Sequence, residues 1–213
     1  MNYTSLRDSV LSYLSYDDLA VRDSIIDDAI GMAESRVNAE LRVREMMAST
    51  TQTSNSTTGK ISIPSDYIEM VSFYRSGNKP NRMEYVSPDE FYKYTKAETR
   101  YTIIGSNIET ALADSSTSGN GATYTMNYVG SLSGLASTNL TNWLIEKSPR
   151  VYLYGTLMEL QPYLTNPGSY DDLKNKFYSA VGDLQNMDSR GKYRPNVRML
   201  HDGVTSDGAF RLF

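Results

Sequence analysis

From Val21 onward the apolar positions Ile25, Ala29, Ala33, Val37 and Leu41 recur every four residues, and Ile26, Ile30 and Met32 widen the stripe. That spacing predicts a long amphipathic helix. Strict fours drift around a straight helix, so this face wraps and can meet more than one neighbour. Ahead of it, Thr4 is placed to cap a short helix carrying Leu6, Val10, Leu11 and Leu14, which ends near the turn at Tyr16-Asp17-Asp18. Behind it, Ser49 to Thr58 holds only Ser, Thr, Gln and Asn, too little apolar surface to order itself, and reads as a flexible connector.

Beyond the connector the period changes to two. Lys60 to Ile63, Ile68 to Tyr74, Arg82 to Val86, Tyr101 to Ile104, Asn107 to Thr110 and Ala122 to Val129 read as six short strands. Tyr124, Met126 and Tyr128 alternate with Thr123, Thr125 and Asn127, as a half-buried strand should, while Gly77-Asn78 and Gly105-Ser106 supply hairpin turns. The longer loop from Asp114 to Gly121 is rich in Ser and Gly. Ser87-Pro88-Asp89-Glu90 marks a helix start between the third and fourth strands, with Ser at the cap and Pro at the first position.

After Gly134 the chain turns helical again through Trp143, Leu144 and Ile145, and Ser148-Pro149 repeats the cap-plus-proline signal. Val151 to Leu160 is apolar on nearly all sides, which places it at a helical centre, and Pro162 ends it. Asn166-Pro167 opens a last helix on which Tyr170, Leu173, Phe177, Val181 and Leu184 alternate threes and fours, with Gly191 placed to stop it. The expected fold is α+β: a helical bundle body with an inserted small antiparallel β subdomain and an extended C-terminal arm. Residues 1–48 hold the N-terminal helices of the body, 59–130 the β subdomain, 135–191 the C-terminal helices and 192–213 the arm.

The composition narrows the functional classes. At 213 residues the chain can bury a core without disulfides, and mean hydropathy of -0.46 with no long apolar run argues against a membrane span. The opening Met-Asn-Tyr-Thr-Ser-Leu has neither a basic nor an apolar leader region, and zero cysteines fit synthesis in a reducing cytoplasm. A net charge of -4 is the wrong sign for gripping a phosphate backbone over the whole surface. Seventeen tyrosines against five phenylalanines suit surfaces half-buried against a neighbour, or else tyrosine-rich strands.

Candidate chemistry is sparse. His201 is the only histidine, so multi-histidine metal sites are impossible within one chain, and a lone histidine in a polar arm reads as solvated or as an interface residue. Asp17-Asp18, Asp27-Asp28, Asp89-Glu90 and Asp171-Asp172 have the makings of a general acid and base or of a hard-metal site, but three of the four lie in or beside a predicted first helical turn, where carboxylates favour the dipole. Gly119-Asn120-Gly121 lacks the Lys and helix of a phosphate loop. No catalytic residue, cofactor or metal ligand is expected, and the chain reads as no enzyme. Arg36, Arg42 and Arg44, set among Glu34, Glu40 and Glu45, form either an ion-paired flank or a contact with a neighbouring subunit. In the arm, Arg190, Lys192, Arg194, Arg198 and Arg211 outnumber Asp202 and Asp207. Val197, Met199, Leu200, Phe210, Leu212 and Phe213 are too many apolar side chains for a segment meant to stay in water. The candidate partner-binding set is therefore Arg194, Arg198, Phe210, Arg211, Leu212 and Phe213, in a segment that orders on a partner.

The stretch Ala33 to Met46, A-E-S-R-V-N-A-E-L-R-V-R-E-M, resembles the signature helix of the head-to-tail adaptor family of tailed phages typified by podovirus neck proteins. Ile63-Pro64-Ser65-Asp66-Tyr67, Tyr101-Thr102-Ile103-Ile104-Gly105, Asn142-Trp143-Leu144 and Tyr152-Leu153-Tyr154-Gly155 resemble that family's further steps in the same order. The likeness runs from about Ala29 to Met187 and leaves out the arm after Arg190. It implies a virion neck or tail component: a cyclic homo-oligomer, commonly of twelve copies, joined to the portal protein on one side and to tail or nozzle proteins on the other. DNA would pass through the ring without sequence-specific binding, helped by an acidic lining whose repulsion fades beyond a Debye length of roughly 8 Å. A reading from another class is a carbohydrate-binding β module of a phage tail or surface protein, because exposed tyrosines stack on glycans.

Overall fold

Asn2 opens the first helix, α1 (Tyr3–Tyr13): its side-chain oxygen accepts from the Ser5 N–H at 2.9 Å, and the Ser5 hydroxyl bonds back to the Asn2 backbone. The cap therefore lies two residues ahead of Thr4. The computed structural model describes residues 1–14, 23–77, 81–93, 99–110, 121–164 and 169–192. The sequence-predicted turn at 16–18, most of the Ser/Gly loop and the arm lie outside them.

The second helix, α2 (Asp23–Glu40), buries Ile26, Ala29, Ile30, Ala33 and Val37, and Leu41 just beyond it is also fully covered. The fours in the sequence do meet several neighbours. Helix α5 (Pro149–Leu160) packs against α1, α2, α4 (Trp143–Lys147) and α6 (Tyr170–Lys192), as a helix apolar all round must. Gly155 makes that packing close. A Cβ added there would lie 3.1 Å from the Ala33 Cβ and 3.2 Å from the Phe177 Cε2, so α2, α5 and α6 meet where one residue has no side chain. A 3₁₀ turn (Gln161–Tyr163) containing Pro162 ends α5, and α6 runs one residue past Gly191. Each fully buried Leu, Ile or Phe in this layer contributes about 1.5–3 kcal/mol.

The sheet overturns the expected fold class. Strand β1 (Met47–Thr53) emerges directly from a 3₁₀ turn at Arg44–Met46, in the stretch read as a connector. It is followed by β2 (Ile61–Ser62), β3 (Tyr67–Arg75), β4 (Asn81–Tyr85), the short helix α3 (Pro88–Phe91), β5 (Arg100–Ile104), β6 (Asn107–Thr110) and β7 (Thr123–Gly130). All seven join one sheet in the order β1-β7-β3-β4-β5-β6-β2, whose two edge strands approach each other, so it curls into a nearly closed barrel. This is not a small antiparallel insertion in a helical bundle body. It is a seven-stranded barrel with its own core, and it includes a parallel pair, β4 with β5, whose crossover carries α3. The physical reason is that threonine is a strong strand former, and β1 needs no large apolar residues when β7 covers it along all seven positions.

Strand β7 organises the molecule. It pairs antiparallel with β1 on one side and β3 on the other, and its last residues join two cores. Tyr124, Met126 and Tyr128 fill the barrel with Ile61, Phe73, Met83, Tyr101 and Ile108, where Phe73 stacks on Tyr124 with centroids 5.3 Å apart. Val129 instead joins the helical core with Met46, Leu132 and Leu135. Gly105, at a φ of 59°, turns β5 into β6, where an L side chain would be strained.

Candidate interaction surfaces

The three arginines singled out on the α2 flank are all bonded within the chain. Arg36 donates through Nε and a terminal nitrogen to Glu159 Oε1 at 2.8 and 2.6 Å, tying α2 to α5, and Glu159 holds the guanidinium pKa above its ordinary value. Arg42 donates to the carbonyls of Asn38 and Leu41 at the end of α2 and reaches Glu69 on β3 at 3.1 Å. Arg44 donates through Nε to Asp188 Oδ1 at 2.6 Å, pinning the far end of α6. The partners are not Glu34, Glu40 and Glu45. Glu45 instead meets Lys147, which lowers its pKa, and Glu40 accepts from the Tyr178 hydroxyl at 2.9 Å.

Glu34 has a different task. Its Oε1 accepts from the Leu135 N–H at 2.7 Å and from the Tyr152 hydroxyl at 2.9 Å, and Asn142 Nδ2 donates to the same hydroxyl at 2.6 Å. Asn142 also donates to the Ser133 carbonyl, and its Oδ1 caps α4 through the Ile145 N–H. With Asn38 accepting from the Leu132 N–H, these bonds fasten the irregular chain from 131 to 142 against α2 and α5. Burial pushes the Glu34 carboxyl above the usual carboxylate range, with the Leu135 and Tyr152 bonds pulling it back, and burial pushes the Tyr152 phenol up so that it remains a donor.

The acidic pairs have local partners. Asp27 accepts from the Tyr3 hydroxyl at 2.6 Å and faces Arg7 at 3.3 Å, joining α1 to α2. Asp89 and Glu90 sit in the first turn of α3, whose cap is Ser87, and Asp171 and Asp172 in the first turn of α6, where Asp172 meets Lys176 at 2.7 Å. Asp17-Asp18, His201 and the arm residues Arg194, Arg198, Phe210, Arg211, Leu212 and Phe213 lie outside the described residues. Among the described residues no group of three or more His, Cys, Asp or Glu could hold a metal ion, and no helix is long and apolar enough to cross a membrane.

What the surface offers is aromatic and apolar contact area. Tyr13, Tyr85, Tyr92, Tyr163, Tyr170 and Tyr178 are exposed, together with Met32, Met47, Val71 and Met187. Along α2, Asp28, Gly31, Met32, Ser35 and Ala39 line a shallow open groove beside the Arg36–Glu159 pair. A cleft of about 540 Å³ opens where β4 diverges from β3, bounded by Val71, Arg82, Glu84, Tyr85 and Tyr101. Burial pushes the Tyr101 phenol up to about 12. The barrel face formed by β1, β7 and β3 presents Ser49, Thr51, Thr125, Asn127, Ser72 and Ser76, with no ionised group among them. Two of its hydroxyl contacts are Ser76 to Thr125 at 3.1 Å and Asn127 to Ser72 at 2.9 Å. Neither the cleft nor this face is foreseen from sequence; the threonines at 50, 51 and 53 are the available signal.

Within the chain, polar side chains join one element to another, while several tyrosines and methionines are left outside. Its sequence matches the model of the SU10 adaptor protein over residues 1–199. The chain therefore belongs to the SU10 adaptor protein family, a family of phage head-to-tail adaptors. The match is wider than the resemblance read from motifs, taking in α1 at one end and residues 188–199 at the other. No curated protein matches the chain.

Proposed function

We propose that the protein assembles as a cyclic ring beneath the portal of a tailed phage, joins it to the tail or nozzle, and lets DNA pass through the centre. Family membership over residues 1–199 carries this reading. The physical features support it: a ring subunit needs two different complementary faces, and a helical layer with a barrel beside it supplies two surfaces of unlike chemistry. In this reading the arm docks on the portal or an adjacent copy through Arg194, Arg198, Phe210, Arg211, Leu212 and Phe213. Arg42 and Arg44, whose side chains are 37% and 52% exposed despite their bonds within the chain, face a neighbouring copy. The protein is made in the host cytoplasm and ends in the virion.

Electron microscopy of the full chain mixed with its cognate portal tests the proposal. A ring on the DNA-exit side is expected; localisation of the gene product elsewhere on the particle sinks it. Truncation after Gly191 should leave the circular dichroism spectrum of a folded chain and abolish joining, and normal joining by that variant removes the role of the arm.

A further inference from the structure

The curled sheet does not close. Strand β1 pairs only with β7, and the bonding parity along it is fixed at its end, where the Ser54 N–H donates to the Ala122 carbonyl. Bonded pairs alternate along an antiparallel ladder, so Gln52, Thr50 and Ala48 also turn their backbone groups toward β7. Ser49, Thr51 and Thr53 turn theirs the other way. On that side β2 is two residues long and bonds to β6, and the chain from β1 reaches it only through the turn in which the Asn55 N–H donates to the Lys60 carbonyl. Among the described residues, the outward N–H groups of Ser49, Thr51 and Thr53 have no backbone partner.

Sheet edges left open in this way pair with other strands, and proteins ordinarily guard them with lysine, proline or a bulge. Strand β1, M-A-S-T-T-Q-T, has none of these and keeps an unbroken register with β7. Its side chains on the exposed face carry no charge, so neither a basic nor an acidic strand is repelled.

We propose that this edge receives a stretch of residues 193–213 from a second copy of the chain as an added strand, completing the barrel between β1 and β2. The inference rests on the ring reading above and names the contact by which one copy holds the next. Where the chain leaves the structure supports it. Helix α6 ends at Lys192, and Asp188, one turn earlier, holds Arg44, three residues ahead of Met47. The 21 residues that follow can extend about 70 Å, enough to reach an adjacent copy. Within them Val197 and Met199 flank Arg198, and Phe210 and Leu212 flank Arg211, two short alternations of strand period, each followed by a further apolar residue, Leu200 or Phe213. Direction favours the second copy over the same chain. A segment leaving its own α6 enters at the Met47 end and runs parallel to β1, whereas one from a neighbour can run antiparallel, as five of the six pairings in this sheet do. A tail laid on a neighbour's edge is also a head-to-tail contact, the kind that closes into rings.

The chain has no cysteine, so introduced thiols are the only ones present. Full-length copies carrying Thr51→Cys are mixed with copies carrying one cysteine at Val197, Met199, Leu200, Phe210 or Leu212, assembled on the cognate portal, and mildly oxidised. Neighbouring strands lie about 4.8 Å apart, so at least one combination should give a linked dimer, while Thr125→Cys, one strand further in on β7, should give none. In parallel, Thr51→Pro removes an N–H that β7 does not use and should cut ring formation about tenfold or more, whereas Thr51→Val, which keeps the backbone, should not. Rings seen by microscopy with no link at any arm position overturn this inference and leave the ring reading standing. A link formed only within single chains carrying both cysteines overturns the second copy as the donor. Equal loss of rings in Thr51→Pro and Thr51→Val overturns backbone pairing, and absence of rings in the unmodified protein overturns the ring reading itself.

Discussion

Replacing Tyr152 with Phe removes one hydroxyl and leaves the ring packing of α5 in place. That hydroxyl is one of two donors to Glu34 Oε1, at 2.9 Å, the other being the Leu135 N–H at 2.7 Å. A hydrogen bond to a charged group contributes about 1.5–3 kcal/mol net, so Tyr152→Phe should cost about 2 kcal/mol where Glu34 is ionised. For a chain of this length that is a fall in Tm of about 4–8 °C. The cost should depend on pH. Burial holds the folded-state Glu34 carboxyl above its unfolded value, so the folded state binds the proton more tightly; this contribution is present below the unfolded pKa and is lost as pH rises through the folded one. The Tyr152 bond lowers that folded value, and its removal raises it further, so the variant should lose more stability than the native chain between acid and neutral pH. Urea unfolding followed by circular dichroism should show a penalty near 2 kcal/mol at neutral pH, shrinking to about 1 kcal/mol or less once Glu34 is protonated. Glu34→Gln should remove the pH dependence. A penalty of the same size across the whole range would mean that the hydroxyl does not serve a titrating carboxylate.

Gly155→Val should destabilise the helical layer by about 3 kcal/mol, since even a single Cβ there comes within 3.1 Å of Ala33; thermal unfolding unchanged from the native chain would refute the close approach of α2, α5 and α6. Asp188→Ala should cost about 2 kcal/mol, because Asp188 is buried and takes the Arg44 Nε at 2.6 Å, while Arg42→Ala, whose partner Glu69 is exposed, should stay within about 0.5 kcal/mol; chemical denaturation of both separates them. Thr156 is fully buried and its hydroxyl has no hydrogen-bond partner among the described residues, so Thr156→Val should raise stability by about 1 kcal/mol, and a loss in calorimetry would reveal a partner for that oxygen.

The helices were legible where a periodic apolar face was wide and uninterrupted. Helix α5 was readable as central because Val151, Tyr152, Leu157 and Met158 make it apolar on nearly all sides, and α6 because Phe177, Val181 and Leu184 keep one stripe. Six of the seven strands were readable from alternation, but β1 was not: Ala48, Thr50 and Gln52 point inward without the apolar bulk that marks a strand face. With β1 read as a connector, the sheet reads as an insertion, and the expected fold class fails with it. The order of strands was also beyond reach, because short strands carry no label for their partners and β1 finds β7 across the whole β region. At the candidate surfaces, sequence picked out Arg36, Arg42 and Arg44 but not Glu159, Glu69 and Asp188, whose separations of 123, 27 and 144 residues no local pattern can signal.

Because β7 lies between β1 and β3, and α5 lies against α1, α2 and α6, the first hundred residues have nothing complete to fold onto until the later ones exist. A nascent chain emerging from a ribosome would expose the apolar stripe of α2 through synthesis of more than half its length, with α2's principal partner arriving only at Pro149–Leu160. Such non-local topologies fold slowly and invite chaperone capture. Abundance in an infected cell should therefore respond more to translation speed and temperature than the stability of the finished molecule alone would imply.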